Sequence, residues 1–163
     1  MSIERVVEQV GNFLYEYHID ENKNKQGELK KFENKVLCEK LNYKDDMLDG
    51  ECIYYKNESL VARKNYKRNK LDGKIVEYYS NSNIKTESFY VDGNLEGESK
   101  NFSQEGVLIS VTNYKNGKLN GEKRKYFSSG ELEMIGYYKN NNMVGVWKWF
   151  DISGNIIKES RKD

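Results

Sequence analysis

Apolar and polar positions recur along this chain with a spacing of 23 or 24 residues. Each repeat has a glycine at a fixed position and an aromatic residue five positions later. Six glycines occupy this anchor position: Gly27, Gly50, Gly73, Gly97, Gly121 and Gly145. The aromatic residues that follow them are Phe32, Tyr55, Tyr78, Phe102, Tyr126 and Phe150. A fixed period of this length is typical of a repeat array.

Three further positions recur in register with the anchor glycine. A tyrosine lies seven residues before it in five repeats: Tyr43, Tyr66, Tyr90, Tyr114 and Tyr138. An aliphatic residue precedes each tyrosine by six: Leu37, Leu60, Ile84, Leu108 and Leu132. Two residues before the glycine stand Leu48, Leu71, Leu95, Leu119 and Met143. Because even spacings keep side chains on one face of a strand, we expect these rows to share a face.

Turn-forming residues separate the apolar runs. Asp92-Gly93, Asn116-Gly117 and Asn140-Asn141-Asn142 occur at one end of the repeats, and Glu105-Gly106, Ser129-Gly130 and Ser153-Gly154 at the other. These residues tolerate positive φ, so each repeat predicts two short antiparallel strands. The predicted fold is all-β, an elongated and twisted antiparallel β-meander of about six hairpin repeats over residues 27–157. We expect each anchor glycine to let an aromatic ring of a neighbouring repeat lie across the backbone.

The first 26 residues fit the repeat poorly and leave two interpretations open. Their apolar residues have helical spacing, with Ser2 as an N-cap: Ile3, Val6, Val7, Val10 and Leu14. Residues 13–17 could instead form a degenerate first strand. Either cap would cover the exposed edge of an open sheet, and the charged tail 158–163 would blunt the opposite edge.

The balance of charged residues indicates which kind of partner the chain could bind. The 27 Lys and Arg side chains and the 26 Asp and Glu side chains give a net charge of +1. A nucleic-acid-binding surface has a dominant basic field, so we expect no direct contact with nucleic acid. The balance is uneven, however: residues 1–60 carry a net charge of −4, and residues 61–163 a net charge of +5.

The sequence predicts a cytoplasmic protein. No run approaches the roughly 18 apolar residues that span a bilayer. Glu4, Arg5 and Glu8 interrupt the N-terminal segment, so no signal peptide is expected. Cys38 and Cys52 form no disulfide framework and no zinc pattern, and we expect two reduced thiols.

The residues that enzymes use are sparse. His18 is the one histidine and lies outside the array, and neither cysteine has a neighbour that would lower its pKa. We therefore expect no enzymatic activity, no cofactor and no metal site. Glutamates recur directly after four anchor glycines, and we interpret them as cross-strand partners of lysines: Glu28, Glu51, Glu98 and Glu122.

Residues of the opposite strand parity vary between repeats and are the candidate partner-binding surface. They combine aromatic rings with lysines and resemble a protein-binding patch, because Tyr and Trp dominate interface hot spots. The candidates are Tyr54, Tyr79, Phe89, Lys123, Lys125, Phe127, Tyr137, Trp147 and Trp149. The alternative is that these rings shield a thin sheet, and that the two tryptophans cap its last repeat.

Two segments carry a family resemblance. Residues 114–122 read YKNGKLNGE and residues 66–74 read YKRNKLDGK. They resemble MORN (membrane occupation and recognition nexus) repeats, in particular the bacterial variant found in antitoxin components, over about residues 27–157. The resemblance implies an elongated β-meander that binds proteins, acts as an antitoxin or immunity protein, or associates with phospholipid. The first repeat departs from the pattern, with Asp20 and Lys25 at the tyrosine and leucine positions.

Three hypotheses for the function follow. The first is a non-catalytic inhibitor of the antitoxin or immunity type, which occludes a partner toxin or nuclease through an aromatic–lysine sheet face. The second is a scaffold that self-associates into homo-oligomers. The third is a phospholipid-binding array, for which residues 63–70 and 123–125 supply the clustered basic side chains. We expect a protein partner first and a membrane last.

Overall fold

The computed structural model describes residues 2–163, which form sixteen β-strands and no helix. All of their resolved strand pairs are antiparallel, so the predicted all-β antiparallel fold is confirmed. The chain divides into two compact units, of which the first ends at Ser82 and the second begins at Asn83. No helix able to cross a membrane occurs within residues 2–163.

The first unit is a meander in which strands that follow one another along the chain are also neighbours in the sheet. Its strands are β1 (Glu4–Val10), β2 (Phe13–Ile19), β3 (Lys25–Glu33), β4 (Val36–Lys44), β5 (Met47–Leu48), β6 (Gly50–Lys56), β7 (Ser59–Lys67) and β8 (Lys70–Tyr78). The order is β1-β2-β3-β4-β6-β7-β8, and the short β5 pairs with β4.

The second unit repeats this arrangement. Its strands are β9 (Ile84–Val91), β10 (Asn94–Leu95), β11 (Gly97–Phe102), β12 (Leu108–Lys115), β13 (Lys118–Tyr126), β14 (Leu132–Lys139), β15 (Asn142–Phe150) and β16 (Ile156–Lys162). The order is β9-β11-β12-β13-β14-β15-β16, and β10 pairs with β9. Most of the charged tail therefore belongs to β16, the last strand of this unit.

The N-terminal segment is a hairpin, so the strand interpretation is confirmed and the helical one is wrong. Val10 pairs with Phe13 across a two-residue turn, in which Gly11 has φ +59°. β-Branched residues such as Val6 and Val7 fit a pleated surface, and a glycine at the first turn position favours the hairpin. This non-local pairing decides against a short helix despite the spacing of the apolar residues.

Most of the strands are joined by one of two kinds of hairpin connection. Seven two-residue turns have both residues at positive φ, the type I′ geometry that matches strand twist: Asn34-Lys35, Asp45-Asp46, Asn57-Glu58, Arg68-Asn69, Asp92-Gly93, Asn116-Gly117 and Asn140-Asn141. Five further connections are five-residue loops, which begin at Asp20, Tyr79, Ser103, Phe127 and Asp151. The turns predicted from Asp, Asn, Ser and Gly are therefore confirmed.

The choice of connection explains the change in repeat length from 23 to 24 residues. In the first two repeats, the turns at Asn34-Lys35 and Asn57-Glu58 join the strands that follow the anchor glycines. In the later repeats, a five-residue loop takes that place, and the distance from the aromatic residue to the next aliphatic residue grows by one. Tyr78 and Ile84 illustrate the longer distance.

One-residue bulges change which side chains share a face. The extra residue stands near the start of five strands: Cys38, Val61, Ile109, Glu133 and Ile157. A bulge inverts the alternation of side chains, so Leu132, which pairs with Tyr126, lies on the face opposite to Tyr138. The prediction is therefore wrong for the aliphatic residues that precede such a bulge, which are Leu37, Leu60, Leu108 and Leu132. The row two positions before the anchor glycines pairs directly with the tyrosines and shares their face, as predicted.

We call the side that carries the repeat tyrosines the tyrosine face of each unit, and the other side the opposite face. Tyr43 and Tyr66 define it in the first unit, and Tyr90, Tyr114 and Tyr138 in the second. The buried apolar side chains among the described residues are few. They are Leu29, Cys52, Ala62, Ile75 and Val76 in the first unit, and Val111 and Trp147 in the second.

The anchor glycine makes room for an asparagine rather than for an aromatic ring, so that prediction is also wrong. Gly121 has φ +111°, and a Cβ placed on it would lie 3.0 Å from the Cβ of Asn113. The Asn113 amide Nδ2 donates a hydrogen bond of 2.9 Å to the carbonyl oxygen of Glu122. The side chain thereby bridges the irregular backbone that follows the glycine.

Candidate functional site

The nine predicted binding residues do not form one surface. Strand register places Lys123, Lys125, Trp147 and Trp149 on the tyrosine face of the second unit, and Phe89 and Tyr137 on its opposite face. Tyr54 lies on the tyrosine face of the first unit. The remaining two, Tyr79 and Phe127, stand at the first position of five-residue loops.

Those loop positions have a structural role in other repeats. Asp151 Oδ1 accepts hydrogen bonds of 2.9 Å from the backbone N–H groups of Ser153 and Asn155. Hydrogen bonds from the side chain and backbone of Asn155 lower the pKa of the Asp151 carboxyl. Tyr79 and Phe127 replace such an acceptor with a half-buried ring. Each marks the start of a loop and lies away from the strands that carry the other candidates.

Four neighbouring strands bring basic and aromatic side chains together on the tyrosine face of the second unit. We call this group the lysine–aromatic cluster: Lys123 and Lys125 on β13, Tyr138 on β14, Trp147 and Trp149 on β15, and Lys158 on β16. Sequence analysis named four of the six. The other two, Tyr138 and Lys158, were assigned to the fold and to the charged tail.

Trp147 is the buried base of the cluster rather than a contact residue. Its side chain is only 2% exposed. The indole packs edge-on against Tyr138, with ring centroids 5.1 Å apart, and lies 6.2 Å from the ring of Trp149. It covers Gly136, where any Cβ would overlap the indole. The indole Nε1 is buried and has no acceptor among residues 2–163, an arrangement that costs about 1–3 kcal/mol.

Two lysines of the cluster lie over rings. The Lys158 ammonium is 4.9 Å from the ring centroid of Trp149, and the Lys123 ammonium is 5.9 Å from that of Tyr138. Each such contact stabilises by about 0.5–1 kcal/mol at an exposed site. Within the described residues neither ammonium forms an ion pair. Lys125 differs, because its Nζ lies 2.6 Å from Glu133 Oε1.

Two lysines on the opposite face of the second unit are paired with carboxylates. Lys100 Nζ lies 3.5 Å from Glu98 Oε2, and Lys148 Nζ lies 3.9 Å from Glu159 Oε2. On the same face the Tyr137 hydroxyl donates a hydrogen bond of 2.9 Å to Glu122 Oε2. That hydrogen bond raises the pKa of Tyr137, whose side chain is 44% exposed. These two lysines and the Tyr137 hydroxyl therefore each have a carboxylate partner on this face.

The recurrent glutamates pair with basic residues, as predicted, but mostly not across strands. Three of the four contact the cation two positions later on their own strand: Glu28 with Lys30, Glu98 with Lys100, and Glu122 with Arg124. Glu51 alone among the four pairs across strands, with 3.1 Å between its Oε2 and Arg63 Nη1. Side chains two positions apart share a face of a strand, which permits the intrastrand pairs.

The tyrosine face of the first unit holds a groove of about 370 Å³ that sequence analysis missed. Its aromatic lining comes from Tyr15, Tyr17 and Tyr43. The Lys25 ammonium lies 5.7 Å from the centroids of both Tyr17 and Tyr43. Alternation of Phe13, Tyr15 and Tyr17 was the available signal, and it was assigned to a cap.

Cations in this groove have carboxylate partners. Lys31 Nζ lies 3.1 Å from Glu39 Oε1, and Lys25 Nζ lies 3.4 Å from Asp46 Oδ1. Tyr54 lies on the same face, where burial and the hydroxyl of Tyr66 at 3.3 Å raise its pKa strongly. In this groove of the first unit, Lys25 and Lys31 are therefore paired with carboxylates beside the aromatic rings.

Both cysteines are free thiols. Burial raises the pKa of Cys38 and of Cys52, and the Cys38 thiol donates to the carbonyl oxygen of Lys31 at 3.2 Å. Cys38 also lines a second groove of about 460 Å³ beside Tyr55. A raised pKa disfavours the thiolate, the form that acts as a nucleophile. No group of three His, Cys, Asp or Glu side chains suited to a metal ion occurs within residues 2–163.

The fold defines a class of protein, an array of antiparallel hairpin repeats. Three consecutive segments of it, residues 71–92, 95–116 and 119–140, match the MORN repeat variant. Each begins two residues before an anchor glycine and ends at the first residue of a type I′ turn. Together they cover less than half of the chain and include Lys123, Lys125 and Tyr138. No curated protein matches the chain.

Proposed function

We propose that the chain is a non-catalytic, protein-binding repeat module that inhibits its partner by occluding it, as antitoxins and immunity proteins do. The proposed partner is a toxin or a nuclease-like effector, and the proposed location is the cytoplasm. Similarity to MORN repeats supports a repeat module. The observation that carries the proposal is the lysine–aromatic cluster of the second unit.

The cluster has the features of a preorganised binding surface. Trp149 is half-buried and rests against the fully buried Trp147, which is itself packed on Gly136. A ring held in this way loses little conformational freedom when a partner binds. Tryptophan and tyrosine are enriched among interface hot spots, and the cluster contains both.

An inhibitor that occludes its partner needs to bind but needs no nucleophile. The pKa values and the free state of the two thiols agree with such a protein in a reducing compartment. Neither Cys38 nor Cys52 has the lowered pKa that nucleophilic catalysis uses. Two free cysteines in one chain are also typical of a reducing compartment. Both observations support an inhibitor that acts in the cytoplasm by covering a surface of its partner.

Affinity purification from the native host followed by growth assays tests this function. We expect the tagged chain to co-purify with one protein that arrests growth when expressed alone, and co-expression of the chain to restore growth. Trp149→Ala should lose both effects. Tyr137→Ala, which removes an exposed ring from the opposite face of the same unit, is the matched control and should retain them.

Two results would contradict the proposal. If the wild-type chain is recovered without a partner, or its partner does not affect growth, the inhibitory function is wrong. If Trp149→Ala folds with an unchanged circular dichroism spectrum and still neutralises the partner, the cluster is not the binding surface.

A further inference from the structure

We propose that the lysine–aromatic cluster recognises a segment of its partner that is rich in aspartate and glutamate. This inference rests on the proposed function, since it names the chemistry of the protein surface that the module covers. It follows from two observations on the second unit: the excess of lysines over carboxylates on the tyrosine face of β13 to β16, and the position of two of these lysines over half-buried rings.

The tyrosine face of the last four strands carries more cations than carboxylates. On β13 to β16, it holds Lys123, Lys125, Lys158 and Lys162, and its one carboxylate among the described residues is Glu133. Glu133 is engaged by Lys125. This face therefore has an excess of positive charge, and its Lys123 and Lys158 lie over rings, whereas Arg124 and Lys148 of the opposite face lie beside glutamates.

Two of these lysines lie over aromatic rings, in positions from which they can donate hydrogen bonds to a carboxylate. Lys123 and Lys158 each place an ammonium over a ring, and an ammonium has three N–H donors, which is more than one ring contact uses. A carboxylate that approaches from the solvent side would form charge-assisted hydrogen bonds while the ring contact is retained. Because the rings already limit the motion of the lysine side chains, binding costs less conformational entropy.

The same contacts disfavour single-stranded nucleic acid. Sequence-tolerant binding of single strands needs ring faces on which bases can stack, within a positively charged groove. In the cluster, lysine ammoniums cover faces of Trp149 and Tyr138, and Trp147 is buried. The chain as a whole carries a net charge of only +1. An acidic protein segment needs the ammonium groups alone and fits these observations better.

The two tryptophans supply a direct reporter for the test. A ¹⁵N-labelled chain with two tryptophans gives two indole N–H signals in an NMR spectrum, one from the buried Trp147 and one from Trp149. We would titrate the chain with a synthetic Glu-Gly copolymer peptide at about 20 mM and about 500 mM salt, where screening lengths differ several-fold. A Lys-Gly peptide and oligo-dT of equal length are the comparison ligands.

We expect the Glu-Gly peptide to shift the Trp149 signal and to bind about tenfold more weakly at the higher salt. The double variant Lys123→Gln/Lys158→Gln should bind it about tenfold more weakly than the wild-type chain. The matched variant Lys100→Gln/Lys148→Gln removes two cations from the opposite face and should remain within about twofold. An unchanged Trp147 signal in each variant shows that the fold is intact.

The acidic-segment proposal is overturned by any of three results: no shift at Trp149, equal weakening by the two double variants, or tighter binding of oligo-dT than of the Glu-Gly peptide. The titration uses no cellular partner, so its failure is separable from failure of the inhibitory function. If a neutralised toxin is found while the peptide does not bind, the module recognises its partner by other chemistry.

Discussion

The residue eight positions before an anchor glycine differs between repeats, and the backbone of the glycine differs with it. Asparagine occupies this position before Gly50, Gly73 and Gly121, whose φ values lie between +107° and +111°. Before Gly97 and Gly145 it is Phe89 or Tyr137, and φ is then +72° or +68°. An asparagine amide can donate to the carbonyl beyond the glycine, whereas these rings cannot bridge that gap.

This exchange also explains why Phe89 and Tyr137 are exposed. Without the asparagine bridge, their side chains extend from the opposite face and are 47% and 44% exposed. The space beside Gly97 and Gly145 stays open, with nothing within 4 Å of an added Cβ. The two rings are therefore exposed because these repeats lack the asparagine side chain that bridges the backbone in the other repeats.

Alanine substitutions at Gly121 and Gly145 test this distinction. A φ of +111° lies outside the left-handed region that other residues tolerate, and an added Cβ would press on Asn113. We expect Gly121→Ala to cost about 2–3 kcal/mol and to lower Tm by about 5–10 °C, and Gly121→Val to cost more. Gly145→Ala, at an ordinary left-handed φ, should cost about 1–2 kcal/mol.

Thermal unfolding followed by circular dichroism measures both losses. Equal losses of Tm for Gly121→Ala and Gly145→Ala would show that the asparagine contact has no energetic role. An unchanged Tm for Gly121→Val would show that the anchor glycine is not required by the repeat.

At the scale of elements, β14 and β15 are joined by a close approach of ring and backbone. Gly136 is buried, has no positive φ, and lies under the indole of Trp147. This position therefore requires glycine because the indole leaves no room for a side chain, and not because of the backbone conformation. Because Trp147 supports Trp149, this contact also sets the position of the proposed binding surface.

A double-mutant cycle tests the contact between these strands. We expect Gly136→Ala alone to cost about 3 kcal/mol, since the added methyl group overlaps a ring that has no room to move. In a Trp147→Leu background the same substitution should cost about 1–3 kcal/mol less. Urea unfolding of the four proteins measures the coupling, and additive losses would contradict the contact.

At the scale of the whole molecule, each repeat gains its stability from the strands beside it. Strands consecutive in the chain pair with one another within each unit, an arrangement in which repeats interact chiefly with their neighbours. Local defects should then have local effects. The thin core supports this view, because few side chains in either unit are fully buried.

Hydrogen exchange measured by mass spectrometry tests the local character of stability. Under native conditions, Gly136→Ala should speed amide exchange in β14 and β15 by about tenfold or more, because strand opening there becomes easier. Exchange in β3 and β4 of the first unit should remain within about twofold of the wild-type chain. Uniform acceleration across both units would show that the molecule unfolds as one cooperative body.

Much of this fold could be predicted because its signals are local. In Asp92-Gly93 and Asn116-Gly117, the Asp and Asn tolerate positive φ through their short polar side chains and the glycines because they lack a Cβ. The 23- or 24-residue period repeats similar turns along the chain. The candidate surface was predicted only in part. Lys123, Lys125 and Trp149 do share a face, but Tyr137 and Phe89 do not join them, and Trp147 is buried.

The sequence by itself determined the all-β repeat, the positions of its turns and the residues from which a binding surface could be built. Only the tertiary structure decided which of those side chains share a face. A bulge such as the one at Glu133 inverts the alternation of a strand, and its position depends on how that strand pairs with its neighbour. Strand pairing is a non-local property, and spacing along one strand cannot reveal it.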